Sequence, residues 1–216
     1  MSKIEAALRR AAPADAPSVL FDAARDEIRT RLVSINDLSD DACRRIIRRY
    51  TAGVGGNFVN WLAAGTVSCR SLEARYATAE NAYIEIQDDH PGMLRDFAKL
   101  SGAEPETADY RYAQVEARRI QAEVSKMSGV FIISLVGTLE NVSLDYIPWL
   151  GAISKRLGND NMRYVDIHGE ADIEHATQFH WALEREAALY PEPEPLMKAG
   201  ADAAVGFIGA LLRADA

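Results

Sequence analysis

Apolar residues recur at helical spacing along most of this chain, and nothing in it alternates as a half-buried strand would. The stretch "SDDACRRIIRRYTAGVGGNFVNWLAA" puts Ile46, Tyr50, Val54, Phe58, Trp61 and Leu62 on one stripe, the spacing of a helix with one buried face. Ser39 precedes it as an N-cap, and Asp40 and Asp41 suit the positive end of the helix dipole. Gly55-Gly56 is a local weak point or a close-packing point within it. "SLEARYATAENAYIEIQ" follows, with Ser71 as its cap. "DDHPGMLRDFAKLSG" opens on Pro91, which suits a first turn, and closes at Gly102 after a lysine-bearing turn. Helices are expected over about 110–141, 143–157 and 161–188, the last after the turn-like "GNDN". The proline-rich "YPEPEPL" (190–196) cannot continue a helix. Beyond it Ala203, Ala204, Phe207, Ile208, Leu211 and Leu212 return to helical spacing. With no β-branched alternation and no Asn-Gly or Asp-Gly hairpin turn, the expected fold is an all-α bundle of seven to eight helices.

At 216 residues and 48% hydrophobic content the chain suits one domain over 1–216, with residues 1–15 able to be flexible and 190–196 acting as connector to a C-terminal helix. The net charge of −8 and pI near 5.1 argue against nucleic acid or an anionic membrane surface as partner. No window approaches ~18 uninterrupted apolar residues. "IISLVGTL" therefore reads as a buried helix segment, and the N-terminus has no apolar stretch of signal-peptide length. Two cysteines, Cys43 and Cys69, are too few for a disulfide framework and suit a reducing cytoplasm. A cytoplasmic location is expected.

Three of the four histidines lie in "RYVDIHGEADIEHATQFH", residues 163–180. At about 100° per residue, Asp172 falls roughly 40° from His168 and His175 roughly 20° to its other side. All three share one narrow stripe. Glu170 and Glu174 fall opposite and should be solvated, and His180 lies about 120° away. Two imidazoles and a carboxylate on a buried face are costly unless compensated. Neutral imidazole with carboxylate suits Fe(II), Mn(II) or Zn(II). A pair of hydrogen-bonded core histidines around an aspartate satisfies the same pattern without metal.

A metal site in a helical bundle takes ligands from facing helices. Glu140 stands alone in "FIISLVGTLENVSLDYIPWL", after a long uncharged run. It is either buried and paired or at a helix end reaching water. His90 sits before Pro91. On an unbroken helix Glu85 and His90 would point about 140° apart, but "DDHP" implies a break that lets both face one point. Glu80 is the rival to Glu85, and Asp88 and Asp89 read as junction and capping residues. Tyr83, Tyr146 and Tyr164 are either hydrogen-bond donors behind the ligands or ordinary packing. Phe58, Trp61 and Phe131 are either pocket wall or core.

With these residues in view, the chain resembles the heme-oxygenase-like di-iron oxidase family. This is the iron-binding branch of the TENA and pyrroloquinoline-quinone-biosynthesis superfamily. The family pattern of Glu, His, Glu and then H-x3-D-x2-H falls on Glu85, His90, Glu140, His168, Asp172 and His175, at intervals of 50 and 28 residues after His90. "HPGMLRDFAKLSG" is also similar to the family's stretch after its first histidine. The resemblance spans about residues 40 to 188, and the final triplet is its most specific part. For the first glutamate, the spacing seen in relatives suits Glu80, and the local Asn81-x3-Glu85 pattern suits Glu85.

The resemblance implies a heme-oxygenase-like helical bundle, often a homodimer. It implies two Fe(II) ions held by those six residues, O2 as co-substrate reduced to a bridging peroxide, and a small-molecule substrate. That substrate would be an amino acid, an amine or a fatty acid. Two other readings are carried alongside. One is a cofactorless enzyme on the same fold, which calls for a nucleophilic cysteine or basic cluster in the pocket. The other is a non-catalytic helical module binding a partner through its acidic face or last helix.

Overall fold

The computed structural model describes residues 16–214, except the side chains of Glu170, Ala171 and Asp172. The expected flexible segment 1–15 lies outside the described residues. Among them there are nine α-helices: α1 (Ala16–Arg29), α2 (Asp40–Val54), α3 (Phe58–Ser68), α4 (Leu72–Gln87), α5 (His90–Leu100), α6 (Thr107–Val124), α7 (Gly129–Arg156), α8 (Arg163–Ala187) and α9 (Glu194–Leu211). A short 3-10 turn at Ile35–Asp37 joins α1 to α2, and the described residues contain no strand. The fold is an all-α bundle.

The local signals act where the sequence puts them. Ser39 accepts from the Ala42 N–H to cap α2, and Ser71 accepts from the Ala74 N–H to cap α4. The weak point at Gly55-Gly56 becomes a break, so the single expected stripe divides into α2 and α3. Gly102 takes a left-handed φ of 60° just after α5, as a helix C-terminus favours. The connector is shorter than the expected 190–196, because α9 already begins at Glu194 with Pro195 in its first turn, where a proline is tolerated.

Two expectations need correcting. α1 adds a helix that the spacing argument does not single out. The expected helix over 110–141 is two helices, while the expected break near 142 does not exist. Met127 turns left-handed with φ 57°, and Ser128 then caps a new helix through the Phe131 N–H. Asn141 and Ser143 leave α7 unbroken because their side chains donate back to the Gly137 and Glu140 carbonyls. α7 thus runs unbroken from Gly129 to Arg156, through Pro148.

α7 is the axis of the bundle, packed chiefly against α8 and α9 and also against α1 and α3. It is long and apolar enough in composition to cross a membrane, yet 83% of that apolar window is buried inside the protein, as in a core helix. Close approach is permitted by two glycines. A Cβ on Gly137 would come within 2.9 Å of the Phe21 ring and 3.0 Å of the Phe179 Cβ. One on Gly200 would meet the Phe131 carbonyl at 2.4 Å. The first brings α8 against α7 beside Glu140; the second seats α9 on the other side.

Glu186, fully buried near the end of α8, ties the α3–α4 junction to the core. Its carboxylate accepts from the Arg70 and Ser71 backbone N–H groups at 2.8 to 3.0 Å. These are donors that the start of α4 cannot satisfy itself. Glu186→Ala is expected to lower unfolding free energy by about 2–4 kcal/mol, since it strands buried N–H groups. Gly200→Ala is expected to cost about 1–3 kcal/mol by overpacking. Urea denaturation of each variant measures both.

Candidate metal centre

The site is built first at the α4–α5 junction. α4 ends at Gln87, and Asp89 takes a left-handed conformation (φ 51°, ψ 47°) while its carboxylate accepts from the Gly92 N–H. This turn swings His90 back over the end of α4. The His90 Nδ1–H then donates to Glu85 Oε1 at 2.8 Å, and both side chains are buried. A break, as "DDHP" implied, replaces the about 140° separation that a continuous helix would impose. The contact holds the His90 ring with Nε2 free to accept.

α8 supplies the third member. His168 Nδ1–H donates to the Tyr164 carbonyl one turn back, at 2.7 Å, which selects the tautomer with its Nε2 lone pair unused. Its ring lies 4.7 Å from that of His90. Glu85, His90 and His168 each offer a ligand atom, and these atoms lie within 4.8 Å of one another. Burial drives the His168 pKa down from 6.5 to about 4 against the pull of the Tyr164 carbonyl and of Glu85, with the neighbouring His90 and His175 adding to the fall. The imidazole is therefore neutral at neutral pH, the form a metal requires.

Glu140 lies in the middle of α7 and is 5% exposed, so it is not a helix-end residue reaching water. Its Oε1 stands 3.6 Å from His175 Nδ1, too long for a hydrogen bond. His175 Nδ1 is a buried polar atom with no hydrogen-bond partner. Burial acts to lower the His175 pKa, but the Glu140 carboxylate, with Glu85 and Glu174 behind it, outweighs burial and raises it.

Other residues fall elsewhere. Asp172 lies within α8, but its side chain is outside the described residues, as is that of Glu170. Glu174 is exposed, as its place on the helix requires. His180 leaves the stripe and pairs with the Ser18 hydroxyl at 2.6 Å. Glu80 accepts from the Gln178 amide and the Tyr76 hydroxyl, so Glu85 and not Glu80 joins the two histidines. Tyr83 is 65% exposed and stands away from the site, and Phe131 packs in the core without lining the cavity.

Glu85, His90, Glu140 and His168, from four different helices, open onto one cavity of about 50 Å3. That is room for a few water molecules or a slim chain end. Phe58 and Trp61 line it as the aromatic stripe suggested, joined by Phe207 from α9. Beside the carboxylates stand three buried tyrosines. The Tyr50 hydroxyl lies 2.7 Å from that of Tyr164 and 3.4 Å from that of Tyr146. Tyr50 reads in sequence only as a stripe residue, because nothing local marks which apolar-face tyrosine will meet others. Neither cysteine lines the cavity; both are buried, and burial raises both thiol pKa values.

The donor set fits a divalent metal ion of the Fe(II), Mn(II) or Zn(II) kind. It is all nitrogen and oxygen, one histidine has its tautomer set for ligation, and another has an orphaned buried nitrogen that an ion would satisfy. No family model matches the chain, and no curated protein or solved structure matches it.

The folded protein resists protonating His168 until pH falls to about 4, whereas an unfolded histidine accepts near 6.5. Metal-free protein should therefore lose stability from pH 6.5 down to about 4 on this account, by on the order of 3 kcal/mol, with no further loss below. His175 acts oppositely: its raised pKa gives stability present at low pH and lost as pH rises through it. Denaturant midpoints of chelator-treated protein across this range should fall less steeply for His168→Asn than for wild type. Parallel curves would contradict the assignment.

Proposed function

We propose that the chain is a non-heme di-iron oxidase or oxygenase of the heme-oxygenase-like kind, acting on a small organic substrate with O2 as co-substrate. The observation that carries this reading is the convergence of Glu85, His90, Glu140 and His168 on one small buried cavity, with His175 beside Glu140. The order of these residues along the chain, and its resemblance to the family pattern, supports it further.

The residues that would hold the ions are Glu85, His90, Glu140, His168, Asp172 and His175. Ferrous iron, when bound, would supply the electrons and open coordination positions that O2 reduction needs. The chain's own part is separate. The Tyr164 carbonyl and the Glu85 carboxylate orient the two imidazoles before any ion arrives. The carboxylates of Glu85 and Glu140, with that of Asp172 if it ligates as the resemblance implies, would offset most of the charge of two divalent ions and let a loaded site stay buried. Phe58, Trp61, Leu94 and Phe207 keep bulk water from the ligand cluster. Tyr50, Tyr146, Tyr164 and Ser143 also line the cavity, where their hydroxyls would offer a substrate polar contacts.

Anaerobic titration with Fe(II) should saturate near two ions per chain, and subsequent exposure to O2 should consume oxygen. His168→Ala should bind fewer ions and consume O2 at least about a hundredfold more slowly, as loss of a metal ligand or its support commonly does. Absence of iron binding by the wild-type chain would end this proposal.

A further inference from the structure

The helix that carries Glu85, α4, has its amphipathic faces reversed. Its buried face holds Ala74, Ala77, Thr78, Asn81 and Glu85, all small or polar. Of its five large apolar side chains, four lie outward: Leu72 is 78% exposed, Ile86 67%, and Tyr76 and Tyr83 65% each. A helix that packs only on its own core carries the opposite pattern. The outward residues are also ordered. With exposed Ala79 they fall at positions 72, 76, 79, 83 and 86, alternating steps of four and three. That is the a/d spacing of a coiled-coil seam. The seam runs roughly 21 Å along the helix. It leaves apolar surface on the order of 500 Å2 in water, high for a face with no partner. A standard interface takes about 800 Å2 from each side, which the seam and its flanks together approach.

The charged flanks point to the occupant. With Tyr76 and Tyr83 at a, and Leu72, Ala79 and Ile86 at d, Arg75 falls at g and Glu73 and Glu80 fall at e. In parallel helices the g residue of one heptad faces the partner's e residue in the next. Arg75 then faces the partner subunit's Glu80, and symmetry repeats the pair. In antiparallel helices like flanks would meet, glutamate on glutamate and arginine on arginine. Both groups are already held in place. The Arg75 Nε–H donates to the Cys69 carbonyl at 2.6 Å, and Glu80 accepts from the Gln178 amide and the Tyr76 hydroxyl. A guanidinium has further donors and a carboxylate further lone pairs for a partner. We infer that α4 is a docking surface for a second copy of this chain, packed parallel and in register on the same helix about a twofold axis. Because Glu85 lies on the opposite face of α4, the two ligand clusters stand back to back across that axis. The pairing does not rest on the oxidase reading and needs no iron.

The test uses the full chain without metal. Sedimentation equilibrium at roughly 100 μM should show a dimer that dissociates on dilution, as an interface of modest area does. Tyr76→Glu with Tyr83→Glu, both at exposed positions and with a good helix former, should raise the dissociation constant at least about a hundredfold. Far-UV circular dichroism of this variant should match wild type. A cross-link reads the orientation. Tyr83→Cys treated with a short bismaleimide should give a covalent dimer, because equivalent a positions adjoin in parallel, in-register helices. Cys43 and Cys69 are buried, so the wild-type chain should not cross-link. A chain that stays monomeric at that concentration would assign the seam to a helix of another protein and overturn the inference. A dimer unaffected by the double tyrosine variant, or a Tyr83→Cys dimer that fails to cross-link, would overturn it too. Failure of iron binding with the dimer intact would overturn only the oxidase reading.

Discussion

Burying ionisable side chains inside an apolar bundle is the constraint on which the rest of this structure depends. Glu85, His90, Glu140, His168 and His175 are all largely out of water. An isolated buried charge costs several kcal/mol, so such groups persist only when partnered or neutral. Here the compensation is uneven. His90 leans on Glu85, and His168 stays neutral because burial lowers its pKa, while the Tyr164 carbonyl fixes its tautomer. Glu140 and His175 face each other at a distance that closes no hydrogen bond. The least satisfied pair therefore adjoins the best organised one, an arrangement suited to receiving something that neither pair supplies.

Holding these groups in register requires a rigid axis, and α7 provides it. Its length, its nearly complete burial and the glycine at 137 set Glu140 at a fixed height opposite His175. The left-handed turn at Asp89 does the equivalent work for His90, converting sequence neighbours of poor helical phase into spatial neighbours. Glu186 anchors the start of α4, and thus the helix that carries Glu85, to the end of α8, the helix that carries His168 and His175. Site geometry and bundle stability therefore share the same contacts.

Separating α2 from α3 at Gly55–Asn57 gives two helices where one stripe was expected, and the aromatic face of α3, with Phe58 and Trp61, lines the cavity onto which the ligand groups open.

Much of this was legible in the residue order. Caps at Ser39 and Ser71 and the stop at Gly102 are signals acting within a few residues, and each operates as written, whereas the proline connector proves shorter than its composition suggests because Pro195 is accepted in the first turn of α9. The shared face of His168 and His175, and the isolation of Glu140, follow from 3.6-residue geometry alone. Other features depend on contacts between segments distant in sequence. Whether Asn141 and Ser143 end a helix depended on hydrogen bonds back along α7. The orientation of Glu80 depended on Gln178, nearly a hundred residues away. The meeting of Tyr50 with Tyr146 and Tyr164 depended on how helices pack. Local chemistry thus determined the helices and which face each residue occupies; only tertiary packing decided which faces meet, because that is set by the fit of whole surfaces.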